Sequence, residues 1–207
     1  MKRKSKSKRK RKRPILLSAE KEIDWHWHDD EMKISYCMEI LLSNKKAGDL
    51  FDIAQQKAMD LSKKHIIFKL VDSVVLNGFD ADSGIYPPMI RINKNLSAGF
   101  MVSSMIFELA NIAQWDFFDD IDNKTRSGRY PIRQSYYIER TEMIELESAK
   151  IHNKIMRYGS NYLGWDANLA EFHNGIKESW KSWYDTTDEK HKSVYAQDWM
   201  ELIKLRR

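Results

Sequence analysis

The sequence predicts an α+β fold, with a small N-terminal mixed sheet of three or four strands and a mostly helical second half. Short runs rich in β-branched residues are confined to the part before Leu96, and Met89 to Asn93 alternates residue by residue. Beyond Leu96 the apolar residues recur with helical spacing over long stretches. Only four Pro and eight Gly interrupt 207 residues, so long elements with few breaks are expected.

Taken in order, Met1 to Pro14 (MKRKSKSKRKRKRP) is a low-complexity basic run. Like charges at this density repel and bury nothing, so residues 1–14 are expected to be a disordered tail and 15–207 one globular domain. The tail residues Lys2, Arg3, Lys4, Lys8, Arg9, Lys10, Arg11, Lys12 and Arg13 form a nuclear-import-like signal. The same charges equally suit contact with an import receptor, an anionic polymer or an anionic surface, or mere solubilisation. Residues 2–13 hold ten Lys or Arg and no acid; without them 25 basic face 30 acidic residues. The net charge of +5 therefore belongs to the tail, and a nucleic-acid-binding body loses its support.

Trp25 to Asp30 brings His26 and His28 onto one face of an extended segment, a weak metal-binding pattern against a polar edge strand. Lys33 to Leu42 reads as a strand, Asn44 to Lys64 as a helix and His65 to Val75 as a second strand. Asn77-Gly78 marks a turn. Met89 to Asn93 is the third strand, expected to pair with Ile66 to Val71. A central apolar helix runs from about Leu96 to between Phe117 and Asp120. Asp122 to Pro131 reads as a basic polar loop and Ser135 to Tyr158 as a second long helix. Gly159 to Gly164 reads as a break, after which Asp166 caps a helix through about Trp183. Thr186 to Lys190 is a loop, and Ser193 to Leu205 the last helix.

No run reaches the roughly 18 to 20 apolar residues of a membrane span, and PILLSAEKEI is too short for a secretory signal. A soluble protein of cytoplasm or nucleus is expected. One Cys, Cys37, excludes an internal disulfide framework. With six scattered His, no structural zinc, no metal site and no cofactor are expected.

The chemistry-bearing candidate is Glu108, set among Ile106, Phe107, Leu109 and Ala110. An unpaired buried carboxylate is costly, and desolvation raises its pKa into the range useful for proton transfer. Ser104 and Asn111 lie on its face of the helix. On the next helix Glu142 and Glu145 are three apart, with Tyr137 on the adjoining seam and His152 one heptad on. If that face meets the central helix, Glu108, Glu142 and Glu145 converge as a catalytic carboxylate set, with Ser104, Asn111, Arg133, Tyr137 and His152 as binding residues. So many acids require a shared proton or a cation such as Arg133. The competing reading makes Glu108 a structural acid and the α-helical glutamates a solvated face.

The strand MIRIN, a short turn and a helix bearing FELANIAQ resemble the core of zincin metallopeptidases, over about residues 66–150. At the positions of HExxH stand Phe107, Glu108 and Asn111, and only the glutamate matches. A downstream acidic ligand would correspond to Glu142 or Glu145. The helix pair also resembles a FELxN arrangement of secreted bacterial effector and toxin domains. The resemblance implies a degenerate zincin-like scaffold without zinc-bound water. It also implies an effector- or toxin-like protein with a carboxylate-lined pocket, sent to the nucleus of a host cell by its tail and acting on an unknown substrate or protein partner. The alternative is a non-catalytic interaction module, which expects solvated acids and an exposed apolar patch on the final helices. A third reading ties the tail to body residues Lys124, Arg126, Arg129 and Arg133 in contact with nucleic acid.

Overall fold

A computed structural model describes residues 29–76, 79–128, 132–166 and 180–205. The basic tail, the His26/His28 pair, the Asn77-Gly78 turn, Arg129, and all but the ends of the helix read from Asp166 to Trp183 lie outside these residues. The element order is α1 (Asp30–Ser43), α2 (Lys45–Ser62), β1 (Ile67–Val71), β2 (Ala81–Ile85), β3 (Pro88–Asn93), α3 (Ala98–Ala113), α4 (Trp115–Ser127), α5 (Gln134–Leu163), α6 (Trp180–Thr186) and α7 (Glu189–Lys204). The fold is α+β, with one small sheet among the described residues.

The stretch read as the first strand, Lys33 to Leu42, is a helix. Asp29 caps it by accepting from the Met32 amide, and Asp30 and Glu31 complement the dipole of the first turn. Cys37, Ile40 and Leu41 are its buried residues, spaced for a helix. Cap and period together outweigh the β-branched character of Ile34 and Ile40. Asn44 starts α2 directly, accepting from the amides of Lys46 and Ala47.

The sheet order is β1-β3-β2. β1 runs parallel to β3 with Ile67 opposite Met89, the pairing expected from sequence. β3 buries Pro88, Ile90 and Ile92 on one face. It is the central strand. The edge beyond it is β2, antiparallel to β3 with Asp82 opposite Arg91. Its sequence, ADSGI, has too little β-branched character to read as a strand; pairing with β3 imposes that conformation.

α3 is the hub. Ser97 caps it, and every residue from Met101 to Ile112 is buried. It packs against α1, α2 and α5 and against the sheet. Met101, Met105, Ile106, Leu109 and Ile112 are fully covered, each stabilising by about 1.5–3 kcal/mol relative to exposure. α3 stops at Ala113, and α4 carries the chain on into the segment read as a loop, as far as Ser127. Lys124 pairs with Asp120, and Gly128, at φ 65°, ends the helix. α5 likewise runs through the expected break at Gly159, where a Cβ would run into the Trp165 ring. Its end comes at Gly164, φ 75°. α7 begins at Glu189 under an Asp188 cap, four residues before the expected start. Among the described residues, no helix is long and apolar enough to cross a membrane.

Candidate functional site

α3, α5, α7 and β2 surround a cavity of about 580 Å³, within the usual size range of ligand pockets. α3 supplies Phe107 and Glu108, each about one turn before Asn111. α5 supplies Tyr137, Thr141 and Glu145, a ladder of four-residue steps. α7 adds His191, Val194, Tyr195 and Asp198 by the same spacing, and β2 contributes Asp82 and Ser83.

Glu108 is 6% exposed. Its Oε2 accepts from Ser83 Oγ at 2.7 Å and from Asn111 Nδ2 at 3.2 Å. Both bonds fall on one oxygen, and Oε1 has no partner among the described residues. Burial, and then the Glu145 charge, push the Glu108 carboxyl up to about 8, although the Ser83 and Asn111 bonds pull it down. At neutral pH Glu108 is therefore a protonated acid in a cavity wall.

Beside it lies a coupled group. His191 Nδ1 is 2.9 Å from Glu142 Oε1, and its Nε2 is 3.8 Å from Glu145 Oε2. Burial opposes charge on the imidazole. The bond to Glu142 and the charges of Glu145, Glu142 and Glu108 outweigh it, raising His191 to about 9. Trp183 Nε1 donates to Glu142 Oε2 at 3.1 Å, and Tyr195 Oη donates to Glu145 Oε1 at 2.5 Å. Burial raises Glu145 too, while His191 and Tyr195 counter the rise. The Glu142–His191–Glu145 set thus holds one imidazolium between two carboxyl groups, with the remaining oxygens hydrogen-bonded.

Of the expected members, Glu108, Glu145, Asn111 and Tyr137 belong to the cavity wall, and Glu142, fully buried outside that lining, joins Glu145 through His191. The other three do not belong to it. His152 lies outside the cavity lining, its Nε2 2.8 Å from Ser103 Oγ and its ring edge-on to Phe107. A heptad turns the helix by only about 20° but advances it about 10 Å along its axis, which carries His152 past the cavity to Ser103 of α3. Ser104 is buried outside the cavity, and its Oγ has no hydrogen-bond partner. Arg133 is exposed at the N-cap of α5 and supplies no countercharge; His191 does so instead. Glu139 and Glu147 are the solvated glutamates, and Glu147 pairs with Lys150.

The sequence reading missed His191, Tyr195 and Asp198, whose spacing on α7 was visible, and Ser83, whose strand was not. Among the described residues no group of three or more His, Cys, Asp or Glu is placed to hold a metal ion. The arrangement can hold and release a proton at Glu108 beside a fixed positive charge. Comparison of the chain with family models, curated proteins and solved structures finds no match.

Proposed function

We propose that the protein works through this cavity, as a site that binds a small ligand or a protruding side chain and exchanges a proton with it at Glu108. Glu142, Glu145 and His191 fix the local field, and Ser83 and Asn111 orient the acid. The observation that supports this most directly is the Glu108 geometry. A carboxyl buried against a roomy cavity has one oxygen saturated by two donors and the other free. The effector- or toxin-like setting is part of the proposal and rests on the basic tail and the FELxN resemblance. Fusing residues 1–14 to an inert reporter should carry it into nuclei, and a cytoplasmic reporter removes that part alone. For the site itself, ¹³C-detected titration of the glutamate carboxyls should place Glu108 near pH 8. A midpoint at the ordinary carboxylate value would sink the proton-exchange reading.

A second reading, the non-catalytic interaction module, has its own observation. Phe117, Tyr136 and Met143 are exposed around a groove of about 360 Å³ between α4 and α5, apart from Glu108, Glu142 and Glu145; it does not lie on the final helices where the patch was expected, and those three acids are buried rather than solvated. It predicts partner association that Met143→Glu abolishes and Glu108→Gln leaves untouched.

A further inference from the structure

We infer that the ligand of this cavity is an organic cation bearing N–H donors, a primary ammonium or a guanidinium. This rests on the cavity being a ligand site, and it names the class of ligand.

Among the described residues seven carboxyl side chains line the cavity (Asp80, Asp82, Glu108, Asp122, Glu145, Asp188 and Asp198), whereas no described Lys or Arg lines it. Most have partners. Asp82 pairs with Arg91, Glu145 faces His191, Glu108 is bonded to Ser83 and Asn111, and Asp188 caps α7. Asp122 accepts from Tyr137 Oη at 2.7 Å and feels Arg126 only as a nearby charge. Asp80 and Asp198 have neither a cation nor a side-chain hydrogen bond among the described residues. Partial desolvation acts on both, and Asp198 also faces the charges of Asp122 and Glu201. An excess of negative charge around a concave space favours a cation within it.

Acidity alone would not define a ligand. A second observation does. Asn111 lines the cavity and is 5% exposed; its Nδ2 is committed to Glu108, and its Oδ1 has no donor among the described residues. A buried carbonyl oxygen without a donor is unusual and destabilising. An N–H of a bound ligand would satisfy it, which an aprotic cation cannot do. Part of the wall is aromatic, with Trp115 and Phe118 tilted together at 5.6 Å. Such rings attract ammonium and guanidinium groups. The protein already shows the pairing at this site, where Lys190 Nζ lies 5.0 Å from the Phe79 ring centroid.

The test uses the full chain, calorimetry and amide chemical shifts, at constant ionic strength. The probes are n-butylammonium, n-butylguanidinium, tetramethylammonium and neutral n-butylurea. The two N–H-bearing cations should bind saturably with shifts at Glu108, Asn111 and Trp115. Tetramethylammonium and butylurea should bind at least about 10-fold more weakly, the worth of a charge-assisted hydrogen bond. The Asp80→Asn/Asp198→Asn double variant, which removes no hydrogen bond or ion pair, should lower affinity about 10-fold. Spermidine and a capped Ala-Arg-Ala peptide then distinguish a free polyamine from a protein side chain as the source. Equal binding of tetramethylammonium or butylurea would overturn the proposal, as would an affinity unchanged in the double variant. Absence of cation binding while Glu108 still titrates near 8 overturns the ligand class and leaves the proton-exchange site standing. A Glu108 midpoint at the ordinary value removes both.

Discussion

Two histidines, one on α5 and one reaching it from α7, hold opposite charge states. His191 reaches α5 from α7, meets Glu142 and Glu145, and is raised to about 9. His152 belongs to α5 itself, meets Ser103, Asn153 and the edge of Phe107, and burial lowers it to about 4. His152 is fully buried and His191 partly so, and desolvation disfavours the charge in both. The carboxylates reverse the outcome at one site, and neutral partners leave it standing at the other. The cavity side is thus an electrostatic device, while the Ser103–His152 side is polar packing inside a core.

The largest break in this contrast comes from Glu142, which is fully buried. Replacing it by Leu leaves His191 charged with its main partner gone and Trp183 Nε1 without its acceptor. The expected loss at pH 7 is about 3–5 kcal/mol in urea unfolding, and Glu142→Gln should cost less because an acceptor remains.

Next comes the pH dependence. Glu108 is raised from 4.5 to about 8 in the folded state. Its contribution is fully present below about pH 4.5 and is lost as pH rises to about 8. His191, raised from 6.5 to about 9, adds a loss between those values. Glu108→Gln should therefore be more stable than wild type at pH 8 by on the order of 3 kcal/mol, with the difference vanishing near pH 4. A Gln variant less stable at pH 8 would mean that a cation pairs with the carboxylate. His152 has the opposite sign: its contribution is present above about 6.5 and lost as pH falls toward 4. His152→Leu should flatten the acid limb and leave the alkaline one unchanged.

Smaller still is Ser103→Ala, which strips the buried His152 Nε2 of its nearest partner. It should cost about 1–2 kcal/mol and leave the Glu108 titration in place. Smallest is Asp82→Asn. The Asp82–Arg91 pair is more than a third exposed on both sides, so its loss should change stability by no more than about 1 kcal/mol. Because Asp82 also raises Glu108 through its charge, the Glu108 midpoint should move down slightly. An upward move would contradict the assigned field.

Sequence alone was enough to place Glu108. A carboxyl flanked by Phe107, Leu109 and Ala110 in an apolar helix is desolvated whatever covers it, and α5 was the next long helix able to cover it. The β1–β3 pairing was legible for a similar reason, since period-two alternation in Met89 to Asn93 leaves one face to bury. Other signals were present and were outweighed by composition. The Asp29 cap marks α1 as a helix, Gly128 marks the end of α4, and the His191, Tyr195 and Asp198 spacing marks a face of α7.

What no local pattern contained is which elements meet. β2 is a strand because β3 offers it hydrogen bonds, not because Asp, Ser and Gly favour extension. Position 159 is a glycine inside a helix, and not a break, because Trp165 occupies the space a side chain would need. The charge of a buried histidine depends on atoms that arrive from 40 or 50 residues away. Glu142 and Glu145 reach His191 only when α7 returns along α5. Backbone preference and desolvation are local and were therefore determined by the sequence. The countercharge, the free Asn111 oxygen and the acid-lined cavity are relations between distant segments, and tertiary packing alone decided them.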